Sequence, residues 1–202
     1  MKFNYITIDG VIGAGKTTLA KMIAEKYNGS ILLEEVEENP FLSDFYRDPK
    51  HFAFSTQLFF LLSRYRQQQS ILQPDLFHSL LVSDYLFAKD KIFAYLNLED
   101  RELLLYEKIM SLLERDIVKP DLVIYLKSSP DRLMINIKKR GRAFEKDMSK
   151  EYIESLNTAY NRFFNHYKET PLLTINSTKL DFVCNSEDFE IILKMIENKN
   201  AA

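Results

Sequence analysis

Apolar residues recur along the chain in two rhythms. Five short runs are almost continuously apolar: Phe3–Ile8, Ile31–Leu33, Ser79–Ser83, Leu122–Leu126 and Leu172–Ile175. Short, unbroken apolar runs are what strands covered on both faces of a parallel sheet require. Between them, apolar positions return every three or four residues, the spacing of one helix face. Leu19, Ala20, Ile23 and Tyr27 form one such face, with Gly29 as the expected stop because glycine accepts the left-handed turn after a helix. A longer pattern runs from about His51 to Gln73 and is expected to end before Pro74. Another follows Asn97 and aligns Leu103, Tyr106, Ile109, Met110, Leu113 and Ile117. Ser129-Pro130-Asp131 reads as a helix start, with a capping serine, proline at the first position and an acid in the first turn. Ser149 and Ser186 are expected caps of the same kind.

Strands alternating with helices predict an α/β fold, a five-stranded parallel sheet flanked by helices on both faces. Its ligands are expected beyond the carboxyl ends of the strands. No internal repeat, low-complexity tract or Gly/Ser/Pro linker interrupts the pattern, so residues 1–202 are expected to form a single domain. The stretch from Asn198 to Ala202 reads as a frayed tail.

Composition narrows the function. The 27 basic and 29 acidic residues leave a net charge of −2, without the basic excess of a nucleic-acid binder. The run Leu58 to Leu62 falls far short of the ~20 apolar residues of a membrane helix. The opening MKFNYITIDG lacks a signal-peptide pattern. A single cysteine, Cys184, excludes an intrachain disulfide and suits the reducing cytoplasm. His51, His78 and His166 lie too far apart for zinc-ligand spacing.

Of five glycines, three fall in Gly10-Val11-Ile12-Gly13-Ala14-Gly15-Lys16-Thr17, which matches G-x-x-x-x-G-K-[ST] after an expected strand and before an expected helix. Glycines let successive backbone N–H groups curl around a phosphate, and the helix start adds its positive dipole end. Gly10, Gly13, Ala14, Gly15, Lys16, Thr17 and Thr18 are therefore the candidate phosphate cradle. Lys16 is expected on the terminal phosphates of ATP and the Thr17 hydroxyl on Mg²⁺.

Neither N-K-x-D nor D-x-x-G follows the loop, which excludes a GTPase, and the chain is short for a motor-type ATPase. A small kinase remains, with Lys138-Lys139-Arg140-Gly141-Arg142 as a candidate basic lid at about 138–147. Arg140 and Arg142 are positioned to neutralise a transferring phosphoryl group, although a basic helix end is also favoured by the dipole alone.

These residues resemble the deoxyribonucleoside kinases of the P-loop kinase superfamily. Ile31-Leu32-Leu33-Glu34-Glu35-Val36 is similar to the family's strand-end E-P-V segment, and Asn39-Pro40-Phe41-Leu42 continues as in bacterial members. Phe54-Ser55-Thr56-Gln57 with Arg64 matches the base-reading helix, and Tyr46 the sugar-contacting tyrosine. Ser83-Asp84 is similar to the start of D-R-S, and Asp90 to the acid six residues on. Arg140 to Glu145 matches the lid with its sugar-binding glutamate, and Leu180-Asp181-Phe182 the loop beside the adenine of ATP.

The resemblance implies transfer of the ATP γ-phosphate to the 5′-hydroxyl of a deoxyribonucleoside in nucleotide salvage, by a homodimer. Glu34 is the expected base, with Glu35 the alternative, because a 5′-hydroxyl is a poor nucleophile at neutral pH. Asp84 is the expected second Mg²⁺ holder, and Tyr46, Gln57, Arg64, Asp90 and Glu145 the nucleoside contacts. An Asp90–Arg64 pair suits a base with an exocyclic amine, hence deoxyadenosine or deoxycytidine, with deoxyguanosine also admitted. The aromatic-rich segment 52–65 is the expected dimer face. Three positions depart from the family pattern: Tyr85 replaces the arginine of D-R-S, Asn136 replaces the first lid arginine, and the spacing after Asp90 is one residue short. Lys89 and Lys91 are the nearby candidates for the missing positive charge, and the sequence does not choose between them. A thymidylate-type monophosphate kinase and a catalytically weak nucleotide-binding regulator are the alternative readings.

Overall fold

A computed structural model describes residues 3–71 and 78–201. Five parallel strands form one sheet: β1 (Tyr5–Gly10), β2 (Ser30–Leu32), β3 (Leu81–Ser83), β4 (Leu122–Lys127) and β5 (Leu172–Asn176). Their order is β2-β3-β1-β4-β5, with Ile6 opposite Val82 on one side and Ile8 opposite Ile124 on the other. From β1 the chain crosses to the edge strand β2, fills in β3 between them, then adds β4 and β5 on the other side of β1. Right-handed crossovers therefore put helices on both faces, and β1 marks the switch point where a crevice opens.

Among the described residues eight α-helices flank the strands: α1 (Lys16–Lys26), α2 (Leu42–Arg47), α3 (Pro49–Ile71), α4 (Lys89–Asn97), α5 (Asp100–Leu113), α6 (Pro130–Arg140), α7 (Lys150–His166) and α8 (Ser186–Ala201). All six residues of β1 are buried, as are the first five of β4. Ile6 and Ile8 of β1 and those five of β4 join Leu19, Ile23, Leu133, Ile153, Leu156 and Ile192 in the main core. A second cluster ties α3, α4 and α5 through Leu61, Ala94, Tyr106 and Met110. A third gathers Leu42, Phe45, Ala53 and Phe60 beside the crevice.

Several expectations change. Covering on both faces holds for the central strands but not the edges, where Ile31 of β2 and Thr174 of β5 are exposed. Asn28, with φ of 48°, makes the left-handed turn after α1. Gly29 serves packing instead, since a Cβ there would stand 2.8 Å from the Leu80 carbonyl oxygen. Ser129 and Ser149 cap α6 and α7 by accepting from Arg132 and Tyr152 N–H groups. At α8 the capping side chain is Asn185, which accepts from the Glu187 N–H at 2.9 Å, and Ser186 is already helical. Residues 198–201 are not frayed but continue α8, while Ala202 lies outside the described residues. The Tyr27 hydroxyl fastens that helix by donating to Glu197 at 2.9 Å. The expected long helix is α3, starting at Pro49, and its expected end at Gln73 and Pro74 lies outside the described residues.

Segment 52–65 is largely used within the chain. Ala53, Phe60 and Leu61 are buried, while Phe52, Phe54 and Tyr65 pack against the clusters, leaving Leu62 as its exposed large aliphatic side chain. Among the described residues, no helix is long and apolar enough to cross a membrane.

Candidate active site

The crevice begins where β1 ends. The Asp9 side chain is wholly buried and accepts from the Gly10 and Leu86 N–H groups at 2.6 and 2.9 Å, bolting the loop start to the segment after β3. Burial pushes this carboxyl upward in pKa, against the pull of Lys89 and Lys16. Gly13 and Gly15 take left-handed φ angles of 84° and 92°. A Cβ on Gly13 would meet the Leu133 carbonyl oxygen at 2.7 Å, and one on Gly15 the Phe182 ring at 2.9 Å. Only glycine fits either place. Gly10 instead stands against β4, where a Cβ would come within 2.6 Å of the Leu126 carbonyl oxygen, and it lines neither cavity described below.

Two cavities of about 500 Å³ each meet at this loop. One is bordered by Gly13, Ala14, Gly15, Thr18, Asp181 and Phe182, which brings the expected phosphate cradle and adenine loop to one cleft. Arg132 and Asn136 also line it, and Asn136 donates to the Gly13 carbonyl at 2.8 Å, holding the loop where the family pattern has an arginine. The second cavity is walled by Glu34, Tyr46, Gln57, Arg64, Asp84 and Glu145. Lys16, Thr17, Arg140 and Arg142 border both. A phosphate held in the first cavity thus has its reactive end at the wall of the second.

Glu34 follows β2 at the crevice. Its side chain is 11% exposed, whereas Glu35, which also lines the cavity, is exposed. Arg64 Nε donates to Glu34 Oε1 at 2.7 Å, and Lys89 Nζ to Oε2 at 2.7 Å. Burial opposes ionisation of this carboxyl, but Arg64 and Lys89 outweigh it and hold its pKa well below the usual carboxylate range. Asp84 directly follows β3, between loop and acid: one oxygen accepts the Thr17 hydroxyl, the other the Glu34 backbone N–H at 2.8 Å. The Thr17 hydroxyl and Asp84 carboxylate are hard oxygen donors side by side, a pair that suits Mg²⁺. Lys16 donates to the Val11 carbonyl at 3.2 Å, and burial together with the Lys89 charge lowers its pKa to about 8.

The nucleoside candidates divide. Gln57, 2% exposed, and Arg64 lie on the same face of α3, with the Arg64 guanidinium over the Phe60 ring at 4.8 Å. Asp90 is fully buried and stands behind Arg64, which it pairs with, instead of lining the cavity. Its Oδ2 and the Thr56 hydroxyl, on the cavity wall, are buried polar atoms with no hydrogen-bond partner among the described residues. Glu145, 6% exposed, is gripped by Arg140, and Arg142 faces Glu37 at 3.4 Å. Burial and the neighbouring Tyr152 and Glu145 raise the Tyr46 hydroxyl well above its ordinary pKa.

The segment expected as a basic lid, 138–147, begins inside a helix. Lys138, Lys139 and Arg140 form the last turn of α6, and the turn begins at Gly141, whose φ is 67°. Of the two lysines near Tyr85, Lys89 is 2% exposed and bonded to Glu34, whereas Lys91 turns away to Glu114 at 2.7 Å. The sequence signal that separates them is slight, a lysine directly after the apolar run Leu86-Phe87-Ala88. Arg132 and Thr56 had no signal that separated them from ordinary helix residues.

Comparison with known proteins points one way. A family model described as deoxynucleoside kinase matches residues 6–200. The chain is 39% identical over 193 residues to a deoxyguanosine kinase of Bacillus subtilis (strain 168), covering 93% of each protein. It is also 39% identical over 178 residues to a deoxyadenosine kinase of Dictyostelium discoideum, covering 85% of this chain and 71% of that one. A solved structure of a deoxyadenosine kinase from M. mycoides, with the products dCMP and a flexible dCDP bound, superposes with a TM-score of 0.84 at 28% identity. That match covers 96% of this chain and 99% of the other.

Proposed function

The chain belongs to the deoxynucleoside kinase family, and on that footing we propose that it transfers the ATP γ-phosphate to the 5′-hydroxyl of a purine deoxyribonucleoside. The observation that carries this reading is the junction of the two cavities at Lys16, Thr17, Arg140 and Arg142, with Glu34 on the acceptor side. In-line transfer needs donor and acceptor on opposite sides of one shared cation cluster.

The roles follow from position. The loop amides and Lys16 grip the donor phosphates, while Asp181 and Phe182 border the nucleobase end of that cleft. Thr17 and Asp84 would hold Mg²⁺, which when bound neutralises charge on the β- and γ-phosphates. Glu34 receives the 5′-hydroxyl proton as the new O–P bond forms and ADP leaves. Arg140 and Arg142 stabilise the phosphoryl group in flight. Gln57 and Arg64 face the base, with Thr56 beside them and Asp90 orienting Arg64; Tyr46 and Glu145 are assigned to the sugar.

Two 39%-identical relatives named for purine nucleosides support the purine class, and the Arg64–Asp90 pair supports a base with an exocyclic amine. On the acceptor side Arg64 and Lys89 are paired with carboxylates, which argues against an acceptor that already carries a phosphate. The proposed compartment is the cytoplasm, in keeping with the unbridged Cys184. The proposed homodimer would use α4 and α5, where Tyr95, Leu104 and Leu112 are each about 60% exposed. Such exposure of large apolar side chains favours a covered face.

An ATP-dependent phosphorylation panel tests the assignment. It spans the four deoxynucleosides, their ribo-counterparts and their monophosphates. Deoxyadenosine or deoxyguanosine should turn over fastest. Faster thymidine or deoxycytidine would refute the base assignment, and faster monophosphates the nucleoside assignment. Substantial turnover of any nucleoside excludes the regulatory reading.

A further inference from the structure

Lys89 is a charged side chain with 2% exposure, on the wall of the acceptor cavity, whose ammonium points at the carboxylate assigned to take the proton. We infer that Lys89 is the positioning residue of Glu34, supplying from the start of α4 the cation that Tyr85 does not supply; this rests on the phosphotransfer reading above.

Burying a lysine is costly unless its charge is paired and bonded. Here the partner is Glu34 Oε2 at 2.7 Å, while Arg64 takes Oε1. Two donors on different oxygens fix both the position and the plane of the carboxylate, which one donor would leave free to swivel. The anchor of Lys89 is itself stiff. Its backbone N–H donates to the Leu86 carbonyl at 3.0 Å, and the Leu86 N–H donates to Asp9 Oδ2 at 2.9 Å. Asp9 immediately precedes the phosphate loop, so loop and lysine share one rigid support.

Flanking this lysine is Tyr85. Its side chain is fully buried, and the Lys89 ammonium lies 5.7 Å from its ring centroid. The ring gives the lysine stem a surface to pack on. Lys16 lies close enough for the Lys89 charge to reduce its basicity, and both lysines border the acceptor cavity. Bond changes are those of the parent reaction: O5′–Pγ forms, the β–γ bridge breaks, and the O5′ proton goes to Glu34.

The test compares Lys89→Met and Lys89→Arg in wild type and in the Glu34→Gln background, reading kcat, the KM values and thermal unfolding. Lys89→Met should lower kcat about 100-fold while KM for ATP stays within about threefold, and Lys89→Arg should recover most of the loss. With Glu34→Gln in place, Lys89→Met should cost less than about threefold more, because it acts through the missing carboxylate. Equal losses in both backgrounds overturn the inference. So does an unaffected kcat, or a Lys89→Arg enzyme that is no better than Lys89→Met and melts lower. A wild type inactive on every nucleoside overturns the parent reading as well, whereas an active wild type indifferent to Lys89→Met overturns this inference alone.

Discussion

Asp84 accepts the backbone N–H of Glu34 at 2.8 Å, so the residue just after β3 also sets the path of the chain two residues beyond β2. Its other oxygen holds the Thr17 hydroxyl. One carboxylate thereby fixes the spacing between the phosphate loop and the acid across from it.

Replacing Asp84 should therefore damage two things together. Asp84→Ala is expected to lower kcat by about 100-fold or more and to raise the Mg²⁺ concentration needed for half-maximal rate. Steady-state rates over a Mg²⁺ series check this; an unchanged Mg²⁺ dependence would remove Asp84 from the metal site.

Arg64 and Asp90 form a buried pair, with Arg64 4% and Asp90 0% exposed, and removing one partner strands the other's charge. Arg64→Met should destabilise the fold by about 3–5 kcal/mol. Arg64→Met/Asp90→Leu should recover much of that stability without restoring base selectivity, because contact residues are not additive. Denaturant unfolding and the rate ratio of deoxyadenosine to thymidine separate the two effects.

Gly15 touches Phe182 across the donor cleft. Gly15→Ala would force a side chain into φ of 92° and within 2.9 Å of that ring. Strain of about 1–3 kcal/mol should raise KM for ATP roughly tenfold or more. KM for the nucleoside should stay near its wild-type value, as Gly15 does not line the acceptor cavity. Initial-rate matrices in both substrates distinguish the outcomes.

Much of this arrangement was legible in the chain itself, and the losses have physical causes. The phosphate loop was readable because its function demands glycine where other residues cannot go, at 13 and 15. Glu34 and the Gln57–Arg64 spacing were readable because strand ends and helix periods place side chains geometrically. Helix α4 escaped because it buries Lys89 and Asp90, residues that a hydrophobic pattern assigns to solvent. Helix α2 is six residues long, too short for a period to repeat usefully. Gly29 read as a helix stop because composition cannot separate a left-handed turn from a close approach, here to Leu80. Asp90 read as a base contact because spacing along the chain does not say which of two paired residues stands in front.

The proposed dimer face is open to a simple check. Tyr95, Leu104 and Leu112 are exposed, so Leu104→Glu/Leu112→Glu should shift the sedimenting species toward the monomer mass. A wild type that sediments as a monomer at working concentrations contradicts the dimer.

At the centre of the proposed mechanism, Glu34 faces the phosphate gripped by Lys16 and takes the proton of the attacking 5′-hydroxyl. Glu34→Gln keeps the side-chain shape and a hydrogen-bonding group but removes the charge. The decisive measurement is the rate at which ADP and purine deoxyribonucleoside 5′-monophosphate appear together in wild type and in Glu34→Gln. One-to-one formation is expected in wild type, and a loss of about 100-fold or more in the variant, with KM for ATP unchanged. A Glu34→Gln enzyme that forms both products at the wild-type rate would contradict that mechanism.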